Sequence, residues 1–242
     1  MGELLTEPKM LALSATDFFL LTVISFGLLY FSFSTLAYFL FQSSVFKKYQ
    51  RKEIRSEQIK LEIQRSSVSI LMFGVLSFPM YFALQSGFFK IIFQFDVTVF
   101  LAEILVLFLW NEIYFYGIHR IYHLKSFFSL HRHHHFSHVP TPFSAYSFHW
   151  SEGFLLGAVM PMIMCFHHFQ IYSLLVLPLM SIVLNVLGHS NIDFFPRSHL
   201  KSLVSFSKRH SRHHQFSNSN FGFFLPYLDQ IFKTAGTDDE QQ

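Results

Sequence analysis

Residues 111–135 read NEIYFYGIHRIYHLKSFFSLHRHHH, and the placing of their histidines decides how the rest of the chain is read. His119 and His123 are four apart. His131 follows eight residues later, with His134 and His135 behind it. Positions i, i+3 and i+4 share a helix face, so each group is a comb of imidazoles aimed in one direction. A third comb, His210, His213 and His214, repeats the spacing of the second. The chain holds 15 histidines and none precedes residue 119, so the second half is expected to carry the chemistry and the first half the fold.

Working outward, the composition is that of a multi-pass membrane protein. Hydrophobic residues make up 51% of the 242, and charged residues 14%, where soluble domains carry about 25% charged. Mean hydropathy is +0.35. The 34 phenylalanines suit lipid-facing surface and apolar pockets alike. A single cysteine, Cys165, excludes an internal disulfide and a thiolate metal cage. The net charge of +3 is modest, and no basic footprint with interleaved recognition elements points to a nucleic-acid partner.

The spans follow in order. Asp17–Phe41 is apolar, without Lys or Arg, and longer than the ~20 residues a crossing helix needs. Lys47–Arg65 turns abruptly basic and reads as a solvated or interfacial connector; docking of an acidic electron donor is its sharper reading. Val68–Leu84 is a second apolar span, broken by Pro79. Asp96 opens a third, Val97–Ile118, with Trp110 and several tyrosines in an interface belt. Glu103 is expected as a packed interhelical contact, and Glu112 as a group that orients a ligand imidazole through its second nitrogen. Pro140 and Pro142 forbid a continuous helix in the loop at 138–153. A hairpin of two helices, about 153–166 and 171–188, follows, each half short for a full crossing.

The expected fold class is therefore all-α: a multi-pass membrane helical bundle of about three long transmembrane helices plus a hydrophobic helical hairpin, with a cytoplasmic-side His-rich metal-binding cap. Placing the basic stretch inside leaves Lys9 and Lys90 outside and 16 of 18 Lys and Arg inside, as the positive-inside rule favours. The same orientation puts all three combs and His189 on the cytoplasmic side.

Eight imidazoles exceed what one first-row ion can hold, so a full set requires two metals. Scarce carboxylates and absent thiolates argue against Ca²⁺, Mg²⁺ and Fe–S clusters; imidazole suits Zn, Cu, Fe and Ni. The missing HExxH removes the zinc-protease signature. His189 is expected as a ninth ligand, and His149 as a further ligand or pocket residue. His133 and His138 point off the comb face, His167 and His168 sit at the hairpin tip, and His199 reads as a linker residue.

These combs resemble the fatty acid hydroxylase superfamily over about residues 47–235. YFYGIHRIYH (114–123) looks like that family's aromatic-HRxxH block, and HRHHH like its HxxHH. HHHFSHVPTPFSAYSFHWSEGF, QIKLEIQRS and RHSRHHQFSNSNFG…LDQIF are most similar to the sterol C5-desaturase (lathosterol oxidase) branch. Asn111, Gly117, Trp150 and Phe221 depart from its pattern; the metal motifs are intact and the pocket lining differs. The resemblance implies a catalytic domain over 67–242, preceded by an N-terminal helix and basic connector over 1–66. It implies a di-iron centre on His119, His123, His131, His134, His135, His189, His210, His213 and His214, with O₂ as co-substrate. The implied reaction is C–H abstraction from a lipid, a sterol or a fatty acyl chain, giving a C=C bond. Hydroxylation of acyl, sphingolipid or carotenoid chains is the alternative, and a non-catalytic membrane metal-binding protein the alternative of another class. No nucleotide loop is present, so electrons would come from an external carrier, cytochrome b5 or ferredoxin, with its reductase. The implied location is the endoplasmic reticulum in a eukaryote and the inner membrane in a bacterium.

Overall fold

The computed structural model describes residues 12–47, 50 and 56–236. The polar N-terminal stretch, part of the basic segment after the first span and the acidic tail lie outside the described residues. The fold is all-helical. Four helices are long and apolar enough to cross a membrane: α1 (Ala15–Gln42), α2 (Ser56–Gln85), α3 (Val97–Tyr122) and, later in the chain, Ile171–Gly188. Between α3 and that last span lie α4 (Phe128–His135), α5 (Trp150–Gly157) and α6 (Val159–Met164), so Ile171–Gly188 is α7. Two short helices close the chain, α8 (Phe206–Phe216) and α9 (Tyr227–Ile231).

Local chemistry sets the ends. Ser14 and Asp17 form a capping box at the start of α1, and the Asp96 carboxylate accepts from Thr98 N and Val99 N to start α3. The α5 helix begins under His149, whose Nδ1 accepts from Ser151 N. Ser217, at φ 54°, stops α8 in the left-handed region.

The spans are inverted relative to a soluble bundle. Leu21, Ile24, Leu28, Leu101 and Leu105 are exposed, while Ser34, Ser66, Ser69 and Ser77 are buried between helices. Small residues allow the close approach that membrane helices need: a Cβ on Gly74 would meet Val23 Cγ2 at 2.4 Å, and one on Gly157 would meet Phe73 Cδ1 at 2.5 Å.

Three expectations are corrected. Pro79 does not break the second span; α2 runs through it, because packed membrane helices tolerate one lost backbone bond. The hairpin is unequal. Its first limb is two short helices meeting at Ala158, and its second, α7, is an 18-residue span despite Pro178. The basic stretch is not wholly a connector, since residues 56–65 form the first turns of α2 and Glu62 is 1% exposed. The expected boundary between residues 66 and 67 falls inside this helix.

One face of those first turns is covered because the segment at 133–146 packs on it with backbone carbonyls turned inward. Thr141 Oγ1 donates to Glu62 Oε2 (2.5 Å), Gln58 Nε2 to Val139 O (2.7 Å) and Arg65 to His133 O (2.6 Å). From α1, the buried Tyr30 hydroxyl donates to Phe143 O (2.6 Å), and Ser34 Oγ to Pro142 O (3.1 Å). The first two spans thus supply the polar pins that fix the segment between the second histidine comb and α5.

Candidate metal centre

The C-terminal ends of α3 and α7, the short helices α4 and α8 and the start of α5 meet at one end of the bundle. His119 lies in the last turn of α3 and His123 caps it. Residues 131, 134 and 135 stand on α4, residues 210, 213 and 214 on α8, and His189 caps α7. All are buried except His123, which is partly exposed.

Nine imidazoles sort into two groups. His119, His123, His131, His135 and His213 form one; His134, His189, His210 and His214 form the other. In each, one nitrogen per ring lies within 4.8 Å of all the others. The combs are therefore split. His131 and His135, at i and i+4, serve the first group and His134 the second; His210 and His214 serve the second and His213 the first. Successive helix positions differ by about 100°, so the adjacent histidines of each HH pair face different groups.

Spacing within each group fits ligation. His119 Nε2 and His131 Nε2 are 3.1 Å apart, His131 Nε2 and His135 Nε2 3.1 Å, and His123 Nε2 and His135 Nε2 3.3 Å. In the second group, His189 Nε2 is 2.8 Å from His210 Nε2 and 3.3 Å from His134 Nε2. Nitrogens held about 2.0–2.1 Å from one ion stand roughly 2.9–3.4 Å apart at right-angle to tetrahedral geometry.

The outer nitrogens show which lone pairs face inward. His119 Nδ1 donates to Phe221 O (2.7 Å), His213 Nδ1 to Ser219 O (2.7 Å) and His189 Nδ1 to Asn185 O (2.8 Å). A carbonyl only accepts, so these three rings carry their proton outside and present a bare Nε2 to the group. His213 Nε2 is buried with no hydrogen-bond partner among the described residues. In the first group the bare Nε2 atoms of His119 and His213 converge with no proton between them, an arrangement that could hold a cation.

Electrostatics agree. Burial, reinforced for most of them by neighbouring imidazoles, pushes these histidines toward the neutral form. His135 and His189 fall to about 4, His123 to about 2, and His131, His134, His210, His213 and His214 well below the ordinary value. Neutral imidazole is the ligating form.

A frame holds the set in place. The Asp229 carboxylate accepts from Phe221 N (2.9 Å) and Gly222 N (2.8 Å), fixing the loop whose carbonyl receives His119. Buried Arg209, next to His210, donates to the carbonyls of Leu200 (3.0 Å), Ser202 and Phe224 (2.5 Å). Phe148 packs on His134 and Phe223 on His210, with ring centroids 4.8 and 5.2 Å apart.

Other candidates fall elsewhere. Glu112, expected to orient an imidazole, accepts instead from Phe224 N (3.1 Å) and Leu225 N (2.7 Å), because that loop folds across α3 with its amides inward. The carboxylate that meets a clustered histidine is Glu152, whose Oε1 is 2.8 Å from His131 Nδ1. Its sequence signal was an acidic residue in an otherwise apolar stretch, the signal applied to Glu103 and Glu112. His149 belongs to neither group; it caps α5. Glu103 accepts from Gln170 N (3.1 Å) and His167 Nε2 (3.1 Å) at the hairpin tip, as a packing contact. His133 is half-buried, and His138, His168 and His199 are exposed.

Comparison with known proteins points the same way. The chain is similar to lathosterol oxidase of Homo sapiens, 25% identical over 227 residues that cover 90% of this chain and 74% of that protein. It is similar to a Delta(7)-sterol 5(6)-desaturase of Schizosaccharomyces pombe, 24% identical over 230 residues, 93% of this chain and 68% of the other. Over a shorter stretch of 142 residues it is 31% identical to a very-long-chain aldehyde decarbonylase of Oryza sativa subsp. japonica, 54% of this chain and 22% of that protein. No solved structure matches the chain. The sequence model for fatty acid hydroxylase matches residues 104–234, more than half of the 242 and a span that holds all nine clustered histidines. Family match, membrane spans and imidazole clusters agree: the chain belongs to the fatty acid hydroxylase family.

Proposed function

We propose that this protein is a membrane-bound, di-iron, O₂-dependent lipid oxidoreductase that desaturates a sterol-like substrate. The observation that carries the reading is the convergence of five and four imidazoles, three with their lone pairs turned inward by backbone carbonyls, at the end of four apolar spans. Iron pairs held by nitrogen ligands supply the oxidising power to remove hydrogen from an unactivated C–H bond. Removing two hydrogens from the lipid gives the double bond. O₂ takes those two, with two electrons from a protein carrier and two protons from solvent, to leave as two waters.

The chain's own residues do the rest. The nine histidines hold the ions without adding negative charge. Phe148, Phe223 and Phe115 wall the site with apolar rings: Phe115 lies 5.0 Å from His119 and 5.2 Å from Phe223, centroid to centroid. An apolar substrate enters laterally from the lipid, and electrons reach the cap from the aqueous side, where His123 is the half-exposed ligand. The charge distribution supports a cytoplasmic cap, in the endoplasmic reticulum of a eukaryote or the inner membrane of a bacterium. Residues 67–242 serve as the catalytic unit, joined within α2 to residues 1–66, which carry α1 and the basic stretch.

The test is metal analysis of the detergent-purified chain, followed by lipid profiling of a host with and without the gene. About two irons per chain, O₂-dependent NAD(P)H use beside a reductase and carrier, and a lipid with one added double bond are expected. A chain that binds no iron and changes no lipid refutes the reading; an added hydroxyl in place of the double bond replaces the desaturase assignment.

A further inference from the structure

The two imidazole groups differ in what stands behind them. In the first, His131 Nδ1 faces the carboxylate of Glu152 at 2.8 Å, with the two side chains 1% and 3% exposed. Among the described residues no Lys or Arg lies within ion-pair distance of Glu152, and its Oε2 has no hydrogen-bond partner. In the second group, His189 Nδ1 meets a neutral carbonyl, Asn185 O. The Nδ1 atoms of His134, His210 and His214 have no hydrogen-bond partner among the described residues.

Glu152 is also rigidly placed. It lies in the first turn of α5, one residue before Gly153. A Cβ on Gly153 would meet Ser69 Oγ at 3.0 Å and Ser69 Cα at 3.2 Å, so α5 lies directly against α2. His149 caps the same turn. The backbone that carries the carboxylate is thus fixed beside His131.

We propose that Glu152 is a positioning residue that locks His131 as a ligand and makes the five-imidazole group the tighter of the two ion positions. This rests on the metal-centre reading above. An ion on His131 Nε2 forces the proton onto Nδ1, which then donates to the carboxylate. Bonds to an ionised acceptor are roughly twice as strong as neutral ones, and such a partner raises the basicity of the ligand imidazole. The buried negative charge, without a basic side chain to balance it, is balanced by the ion. Without the ion a carboxylate buried this deeply does not keep its charge, so the charge-assisted bond belongs to the metal-bound state. Glu152 therefore strengthens ion binding without stabilising the metal-free fold, a combination a merely structural residue does not show.

The experiment uses the full chain in detergent, with zinc as a redox-silent probe and ferrous iron under anaerobic conditions, withdrawn by a competing chelator. The parent is expected to release two ions per chain in two steps. In Glu152→Gln the tighter step weakens about 10–100-fold while the other holds, and the metal-free variant unfolds at the same or a higher temperature than the metal-free parent. Glu152→Asp keeps the charge and recovers part of the affinity. Both steps unchanged in Glu152→Gln, a shift in the weaker step alone, or Glu152→Asp binding worse than Glu152→Gln overturns the inference; the last result would mean that size, not charge, matters. A parent chain that binds neither ion instead refutes the metal-centre reading itself.

Discussion

Replacing His189 with Ala, beside His149 with Ala, separates a ligand from a neighbour. Both residues start or end helices near the centre, and both are single histidines outside the combs. His189 is 1% exposed, and its Nε2 lies 2.8 Å from His210 Nε2; His149 is partly exposed and bonds Ser151. Four-ligand sites bind zinc with about 10–16 kcal/mol, or roughly 2.5–4 kcal/mol per ligand. Loss of one imidazole from the four-membered group is therefore worth on the order of 10²–10³ in affinity. After chelator challenge, His189→Ala should retain about one ion per chain and lose activity. His149→Ala loses only a helix cap, worth about 1 kcal/mol, and should keep both ions with a melting temperature lowered by a few degrees. Metal per chain by elemental analysis, with thermal unfolding in detergent, reads both effects. Two ions retained by His189→Ala at parental affinity, or one lost from His149→Ala, would refute the assignment of the four-imidazole group.

Acid should destabilise the metal-free chain. His135 and His189 titrate near 4 in the fold and near 6.5 unfolded, so the unfolded chain binds protons first; their contribution is whole above pH 6.5 and drains as pH falls toward 4. A metal-free melting temperature flat from pH 8 to pH 5 would contradict this. A Cβ at Gly188 would meet Phe223 Cζ at 2.7 Å, so Gly188→Ala should displace that ring from His210. The expected result is about 1–3 kcal/mol lost to overpacking, with lower product yield and both ions retained. Exposed Cys165 follows α6 at the hairpin tip, at the far end of α7 from His189. In sealed vesicles with the cytoplasmic face outward, a membrane-impermeant thiol reagent should label it only after permeabilisation if the cap is cytoplasmic, and labelling of the sealed vesicles would reverse the orientation.

Much of this was legible in the residues because its causes are local. Comb spacing on a helix, apolar runs long enough to cross, and Asp96 as a cap all follow from neighbours within a turn or two. His189 was readable as a member of the histidine cluster from its position at the end of an apolar run near the combs. Pro79 misled, since a rule learned in water overstates the cost of proline where packed neighbours hold the helix. Glu112 misled for a different reason: closeness in sequence to a comb says nothing about which loop folds over it. The packed face at the start of α2 was hidden by its charged composition, because Glu62 is buried, and Gln58 and Arg65 are half-buried and hydrogen-bonded, against a segment some seventy to eighty residues away.

The sequence alone determined that this chain spans a membrane with helices and offers nine imidazoles in numbers fit for two ions. Helical period and hydrophobic length are properties of short segments and need no partner. Tertiary structure alone decided how the nine divide, five and four, with each comb shared between the groups. It also decided that Glu152, not Glu112, stands behind a clustered histidine. Those choices depend on how α3, α4, α5, α7 and α8 meet, and the direction of a side chain across such a junction is set by packing between segments distant in the chain.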